Sequence, residues 1–169
     1  MMVKRLFQFL FITLLMVNFA KAEQSKIHLL SQKLTDINGQ HVSLNSNDFK
    51  DIEKTFVMFW GSWCKDCKGK LITTLPGLEK KGKIKVLTVN MDANNQRALK
   101  YMSQNKLQVP VYKESSDKSL SSLFKVFAVP HWAVLSRKDT TSDEWVVVDH
   151  APAFESERIA KSLDLSQIE

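Results

Sequence analysis

The chain has 169 residues, 44% of them hydrophobic and 25% charged, which is enough for about one domain with a sizeable core. The formal net charge is +6, but residues 1–22 hold three basic side chains and no acidic one, so the remaining 147 residues carry 21 basic and 18 acidic side chains. This near balance does not argue for nucleic-acid binding, and two cysteines are too few for a disulfide framework.

The first 22 residues have the pattern of a secretory signal peptide. Lys4 and Arg5 precede an apolar run over residues 6–19, and residues 20–22 (Ala-Lys-Ala) have the small-x-small form of a cleavage site. We expect cleavage after residue 22 and export to the periplasm, with residues 23–169 forming a single domain. A retained membrane anchor is the alternative, but polar residues interrupt the run, which is shorter than the roughly 20 residues of a spanning helix.

The first half of the domain alternates strand and helix patterns. Residues 34–44 place an Asn-Gly turn between short alternating runs, which predicts a β-hairpin. Residues 54–60 and 84–92 are nearly continuous apolar runs, typical of strands buried on both faces of a sheet. Between them, leucines at helical spacing predict a helix over about 64–80 with a kink near Pro76.

The second half adds two strands and three helices. Helical patterns cover residues 94–106, 116–127 and 154–163, and a brief extended piece lies at 109–112. Residues 129–136 and 144–151 are further strand patterns joined by a polar turn. The order predicts an α/β fold with a mixed central sheet and helices on its faces.

Both cysteines lie in one Cys-x-x-Cys motif that directly follows the strand pattern at 54–60. At a strand-to-helix junction, free backbone N–H groups and the positive end of the helix dipole favour a thiolate on Cys64. Lys65 and Lys68 add to this effect, whereas Asp66 opposes it. We expect Cys64 to attack and Cys67, one turn deeper, to resolve the mixed disulfide.

Two other interpretations of the cysteine pair are weaker. A purely structural disulfide would close a loop too short to stabilise the fold much. A zinc site needs two further ligands, and the four histidines are scattered without ligand spacing. We therefore expect a redox-active disulfide that requires neither a metal nor an organic cofactor.

From about residue 34 to 160 the sequence resembles the exported TlpA/ResA-like branch of the thioredoxin superfamily. The motifs LTDINGQHVSL, FWGSWCKDC, VLTVNMD, VPVY and FAVP follow the order and spacing of that family. The resemblance implies a thioredoxin-like fold with an N-terminal β-hairpin extension, and thiol:disulfide oxidoreductase activity. It also implies a cis peptide bond before Pro130, pairing of substrate with the Val129 backbone, and Trp63 as a contact platform beside Cys64. We expect the other tryptophans to be core residues, namely Trp60, Trp132 and Trp145.

The chain departs from the family where relatives carry acidic side chains. Met58 and Lys70 occupy those positions, so the usual proton acceptor for Cys67 is missing. The proton of Cys67 would then have to be accepted by water, by Lys70 or by a distant acid. The candidate acids are Glu53 and Asp92.

Three further features refine the comparison. The helix proline stands one turn later than in most relatives, at Pro76 instead of Ile72, so the kink is expected to move with it. The Gly-rich and Pro-Glu stretch of cytochrome-maturation members is absent, so haem-thiol reduction is not assigned. His131 follows Pro130 and either assists the groove or thiolate or is an ordinary strand histidine, and we favour the second.

The resemblance favours a reductant of protein disulfides that is recharged by a membrane electron donor. Lysines beside the cysteines favour an oxidising pair and Asp66 a reducing one, so the residues alone leave the direction open. The alternatives are a thiol oxidase or isomerase in protein folding, and a redox-switched module that binds a partner or copper.

Overall fold

The structure is a computed structural model that describes residues 25–115 and 120–168. The predicted signal peptide and the start of the predicted helix at 116–127 lie outside these ranges. The strands are β1 (Lys26–His28), β2 (Leu34–Thr35), β3 (His41–Val42), β4 (Lys54–Trp60), β5 (Ile84–Asn90), β6 (Val111–Glu114), β7 (His131–Ser136) and β8 (Glu144–Pro152). The helices are α1 (Cys67–Gly69), which continues through a π-helical segment (Lys70–Thr74) into α2 (Leu75–Glu79), then α3 (Asn95–Asn105), α4 (Leu120–Leu123) and α5 (Ser156–Ser162), with a 3₁₀ helix at Ser46–Phe49.

The strands form one mixed sheet in the order β1-β8-β7-β4-β5-β6-β2-β3. β4 pairs in parallel with β5 and antiparallel with β7, so Phe56 lies between Val86 and Val134. β4 is therefore central, which explains why its residues 55–60 are all buried and why its sequence is an apolar run without alternation.

The two faces of the sheet carry separate hydrophobic clusters. On one face, Phe56, Met58 and Trp60 pack against the disulfide and the leucines of the π-helical segment and α2. On the other face, Val57 and Phe59 pack against residues that flank β1 and α4. Successive strand residues point to opposite faces, so the dithiol has access to only one of the two clusters. The expectation that Trp60, Trp132 and Trp145 are core residues is confirmed, since all three are fully buried.

The predicted mixed α/β architecture is confirmed, with differences at the edges. The hairpin around Asn38-Gly39 forms β2 and β3, and Gly39 has a φ of 87°, which suits glycine. β1 is an additional strand that pairs with β8 at the opposite edge. The helix predicted at 116–127 ends at Leu123 instead of residue 127, and within the described residues it covers Leu120–Leu123. Among the described residues, no helix has the length and apolar character needed to cross a membrane.

The helix that follows Cys64 begins at Cys67 and ends at Glu79, so it starts three residues later than predicted. Its irregularity lies just before Pro76, as predicted for a kink at this residue. Proline has no N–H to donate to the carbonyl oxygen of Ile72, and the preceding turn widens so that the Leu75 N–H reaches the Lys70 carbonyl.

Candidate active site

Cys64, in the loop between β4 and α1, forms a disulfide with Cys67, the first residue of α1, and their Cα atoms are 5.3 Å apart. The Cys64 N–H donates to the Gly61 carbonyl at 2.9 Å, which makes a tight turn directly after the strand. Cys64 is 7% exposed, whereas Cys67 is fully buried among the apolar residues on that face of the sheet. Cys64 is therefore the sulfur nearer to solvent, which agrees with the expected order of attack and resolution.

The surroundings of Cys64 differ from the sequence prediction in one respect. The N-cap of α1 is Asp66, so Cys64 precedes the helix instead of occupying its first turn. Lys65, Asp66 and Lys68 are exposed around the cysteines. The positive end of the helix therefore acts on Cys64 from a greater distance than predicted, because helix-dipole effects fall off within the first turn.

An apolar groove of about 390 Å³ lies beside the dithiol loop and ends at the residue before Pro130. Six residues line it: Trp63, Met91, Val126, Phe127, Ala128 and Val129. The Val129–Pro130 peptide bond is cis, as the resemblance implies. Trp63 is 58% exposed and Phe127 is 91% exposed, which is unusual for aromatic side chains of this size.

Phe127 is not among the residues that the sequence predicts for the site. Nothing in the pattern around FAVP distinguishes an exposed phenylalanine from a core one, because exposure depends on the turn that precedes β7. The structure therefore adds this residue to the groove next to Trp63 and Val129.

Asp92 lies beneath the dithiol loop, at the carboxyl end of β5, and is 3% exposed. One carboxylate oxygen accepts a hydrogen bond from the Ser62 hydroxyl at 2.7 Å. The other accepts from the Ser62 N–H at 2.9 Å and from Asn90 Nδ2 at 2.7 Å. Lys113 Nζ donates to the Asp92 carbonyl, which places a cation next to the buried acid.

The two acids considered as proton acceptors for Cys67 have different positions. Glu53 precedes β4 and forms an exposed ion pair with Lys83, at the end of the strand opposite the cysteines. Its proposed role is therefore wrong, since a seven-residue strand spans roughly 20 Å. Asp92 is near the loop, but its carboxylate is held by Ser62 and Asn90.

Met58 and Lys70 occupy the positions where related sequences carry acids. Met58 is fully buried in the cluster that contains the disulfide. The Lys70 ammonium lies 4.5 Å from the centre of the Phe154 ring, a cation–π contact. Cys67 is therefore surrounded by apolar side chains on the face where its sulfur is buried.

His131 lies on the other face of the sheet from the disulfide. It is 4% exposed, its Nε2 lies 3.4 Å from His150 Nδ1, and its ring contacts Phe59 edge to face. Burial, and to a smaller extent the neighbouring His150, lowers the pKa of His131 below its ordinary value. His131 is therefore a buried strand contact, the interpretation favoured from the sequence.

Comparison with known proteins gives structural similarity alone. No family model matches the sequence, and no curated protein matches it. StoA from Bacillus subtilis is 21% identical with a TM-score of 0.53, and the match covers 84% of this chain and 98% of StoA. A thiol-disulfide oxidoreductase from Bacteroides fragilis NCTC 9343 is 17% identical with a TM-score of 0.59, covering 78% and 93%. A secreted Mycobacterium tuberculosis disulfide oxidoreductase, homologous to E. coli DsbE, is 12% identical with a TM-score of 0.54, covering 81% and 96%.

The matches cover 78–84% of this chain and 93–98% of each of these structures. The central position of β4, the Cys-x-x-Cys pair that follows it and the cis proline before β7 are each consistent with the predicted architecture. The chain therefore has the thioredoxin-like fold of these thiol-disulfide oxidoreductases, as its sequence resemblance implies.

Proposed function

We propose that the protein is a thiol:disulfide oxidoreductase that exchanges disulfides with protein substrates through Cys64 and Cys67. The observation that carries the proposal is the disulfide between a slightly exposed and a fully buried cysteine, next to an apolar groove. A purely structural disulfide would gain nothing from such a groove. No metal or organic cofactor is required for this chemistry.

In the reducing direction, the Cys64 thiolate attacks one sulfur of the substrate disulfide. The substrate S–S bond breaks, a mixed disulfide forms, and the first substrate sulfur leaves as a thiolate. Cys67 then attacks Cys64, which releases the second substrate sulfur and re-forms the Cys64–Cys67 bond. Two electrons pass from the protein to the substrate, and an external donor must return them.

Cys67 must lose a proton before it attacks, and the side chains that surround it in the structure are apolar. The departing substrate thiolate, which is close to the sulfurs during exchange, is the group best placed to take that proton. This assignment agrees with the hydrogen bonds that the Asp92 carboxylate accepts from Ser62 and Asn90, because they occupy the carboxylate that would otherwise be the proton acceptor. It also predicts that resolution is slower than in a protein with a free buried carboxylate.

The groove provides the substrate site in this proposal. The backbone of Val129, next to the cis Pro130, would pair with an extended substrate segment, and Trp63 and Phe127 would cover the side chains that flank its cysteine. Exposed aromatic side chains of this kind supply large contact area at low conformational cost. The substrate is therefore a protein segment with apolar residues beside the reactive cysteine.

We further propose that the protein is exported and acts as a reductant. The signal-like pattern of residues 1–22 supports export to the periplasm, by cleavage or with the segment retained as an anchor. One structural neighbour is named as a secreted protein. The TlpA/ResA-like resemblance supports a membrane electron donor as the partner that recharges the dithiol.

The proposal is tested by reduction of insulin disulfides with dithiothreitol as the electron source. The wild-type protein should accelerate the reaction, Cys64→Ser should abolish the acceleration, and Cys67→Ser should accumulate a mixed disulfide that non-reducing gels detect. No acceleration over dithiothreitol alone would contradict the proposal. Tight retention of Cu(I) or of a partner with little turnover would instead favour the binding module, and efficient oxidation of reduced substrates would favour the oxidase or isomerase.

A further inference from the structure

The buried carboxylate of Asp92 has a specific relation to the dithiol loop. Both of its oxygens bind Ser62, one through the backbone N–H and one through the hydroxyl, and Ser62 lies two residues before Cys64. Asn90 Nδ2 donates to the same carboxylate, and the Asp92 N–H donates to Asn90 Oδ1. The loop is thus tied to the end of β5 by hydrogen bonds to a charged group, which are stronger than neutral ones.

This connection fixes the residues on both sides of Ser62. Gly61 packs directly under the Trp63 ring, since a Cβ built on Gly61 would lie 2.3 Å from Trp63 Cζ3. The Gly61 carbonyl also accepts the Cys64 N–H. Displacement of Ser62 would therefore move both the aromatic wall of the groove and the attacking sulfur.

The carboxylate also places a negative charge close to Cys64. Two residues of chain span at most about 7 Å, so the charge and the sulfur are on the order of 10 Å apart. The charged groups around them are Lys113 from β6, which binds the Asp92 carbonyl and Asn95 Oδ1, and the exposed Lys65, Asp66 and Lys68 of the loop. Burial lowers the pKa of Lys113, while the charge of Asp92 raises it.

We propose that Asp92 is a positioning residue that fixes the loop carrying Cys64 and whose negative charge limits the fraction of Cys64 thiolate. The inference rests on the proposed function, because it concerns the reactivity of the same cysteine. Asp92 touches neither sulfur in this role and acts through Ser62 and through its field.

The test compares Asp92→Asn with the parent protein by the rate at which iodoacetamide alkylates Cys64. Both carry Cys67→Ser, so that Cys64 is the only thiol. At about 10 Å and an effective dielectric constant of about 20, loss of the charge changes the thiolate equilibrium roughly tenfold. A thiolate of lower basicity is also less nucleophilic, with a Brønsted coefficient of about 0.5. The rate should therefore rise about threefold at pH 6 and fall about threefold at pH 9.5.

This crossing of the two pH profiles separates the proposal from a merely structural effect. A loosened loop would raise or lower the rate at both pH values in the same direction, and that outcome would overturn the inference. Lys113→Met removes the neighbouring cation and should slow alkylation at pH 6, which gives a second test if Asp92→Asn does not fold. An unchanged or faster rate in Lys113→Met would also overturn it.

The control is Asp149→Asn, which removes a partly buried carboxylate of β8 that forms an ion pair with Arg158. It should leave the alkylation profile unchanged, because the Asp149 carboxylate accepts hydrogen bonds from Arg158, Ser162 and the His150 N–H, which all lie outside the dithiol loop. Alkylation needs no protein substrate, so the two proposals can fail separately. Failure to reduce insulin with a crossing pH profile removes the proposed function alone, whereas insulin reduction without the crossing removes the role of Asp92 alone.

Discussion

Substitution of Gly61 by alanine should damage substrate binding while leaving the fold intact. An ideal Cβ at this position would lie 2.3, 2.5 and 2.6 Å from Cζ3, Cη2 and Cε3 of the Trp63 ring. Carbon atoms that are not bonded to each other do not approach so closely, so the Trp63 ring must move. Because Trp63 is 58% exposed, its ring can turn into solvent without disturbing the buried clusters.

The size of the effect follows from the area that Trp63 offers to a substrate. If the side chain has about 240 Å² of surface, its exposed part is roughly 140 Å². A substrate that covers half of this area gains about 1.8 kcal/mol at about 25 cal/mol per Å². Loss of the contact should therefore lower kcat/KM for insulin reduction about 20-fold.

The assay is insulin reduction at several insulin concentrations, with urea unfolding followed in parallel. Gly77→Ala is the matched control, because its Cβ would meet nothing within 4 Å and it should stabilise the helix without affecting kcat/KM. The account is refuted if Gly61→Ala keeps the parental kcat/KM while tryptophan fluorescence shows that the ring has moved. A loss of stability above about 3 kcal/mol would show instead that the ring is held by the fold.

Three further predictions concern the groove, the core and the pH dependence. Phe127→Ser should lower kcat/KM for insulin several-fold without changing the free energy of unfolding, since the side chain is 91% exposed. If the substitution lowered the free energy of unfolding together with kcat/KM, this would contradict a binding role. Leu71→Ala should destabilise the fold by about 2–5 kcal/mol in urea, whereas the exposed Thr73→Ala should cost less than about 0.5 kcal/mol. The lowered pKa of His131 means that the unfolded chain binds a proton more readily, so stability is retained above about pH 6.5 and lost as the pH falls towards the folded-state pKa. His131→Gln should flatten this slope in urea titrations, and an unchanged slope would contradict the assignment.

The central strands were predictable because their signals are local and uniform. β4 occupies the run 54–60 identified from the sequence, because a strand buried on both faces needs apolar residues at nearly all of its positions. The hairpin of β2 and β3 was predictable from the Asn38-Gly39 turn, which is likewise a local signal. β1 could not be found, since three residues with exposed ends carry no periodic pattern and its pairing with β8 is a long-range contact.

The cysteine pair could be predicted as a site, whereas its supporting residues could not. The spacing of Cys64 and Cys67 and the strand pattern that precedes them predict the pair as a site. Glu53 and Asp92 were equivalent candidates in the sequence, and only the fold separates an exposed ion pair from a carboxylate bound to the dithiol loop. The exposure of Phe127 likewise depends on how the chain turns into β7.

The most direct test of the central claim is the reduction potential of the Cys64/Cys67 pair, measured by equilibration with glutathione and dithiothreitol buffers. Trp63 precedes Cys64, so tryptophan fluorescence should report the redox state. The account predicts reversible cycling with a potential near thioredoxin's, about −270 mV. A value near the roughly −120 mV of strong oxidants would contradict the reducing direction. A cysteine pair that does not cycle would contradict the proposal that the protein is a thiol:disulfide oxidoreductase.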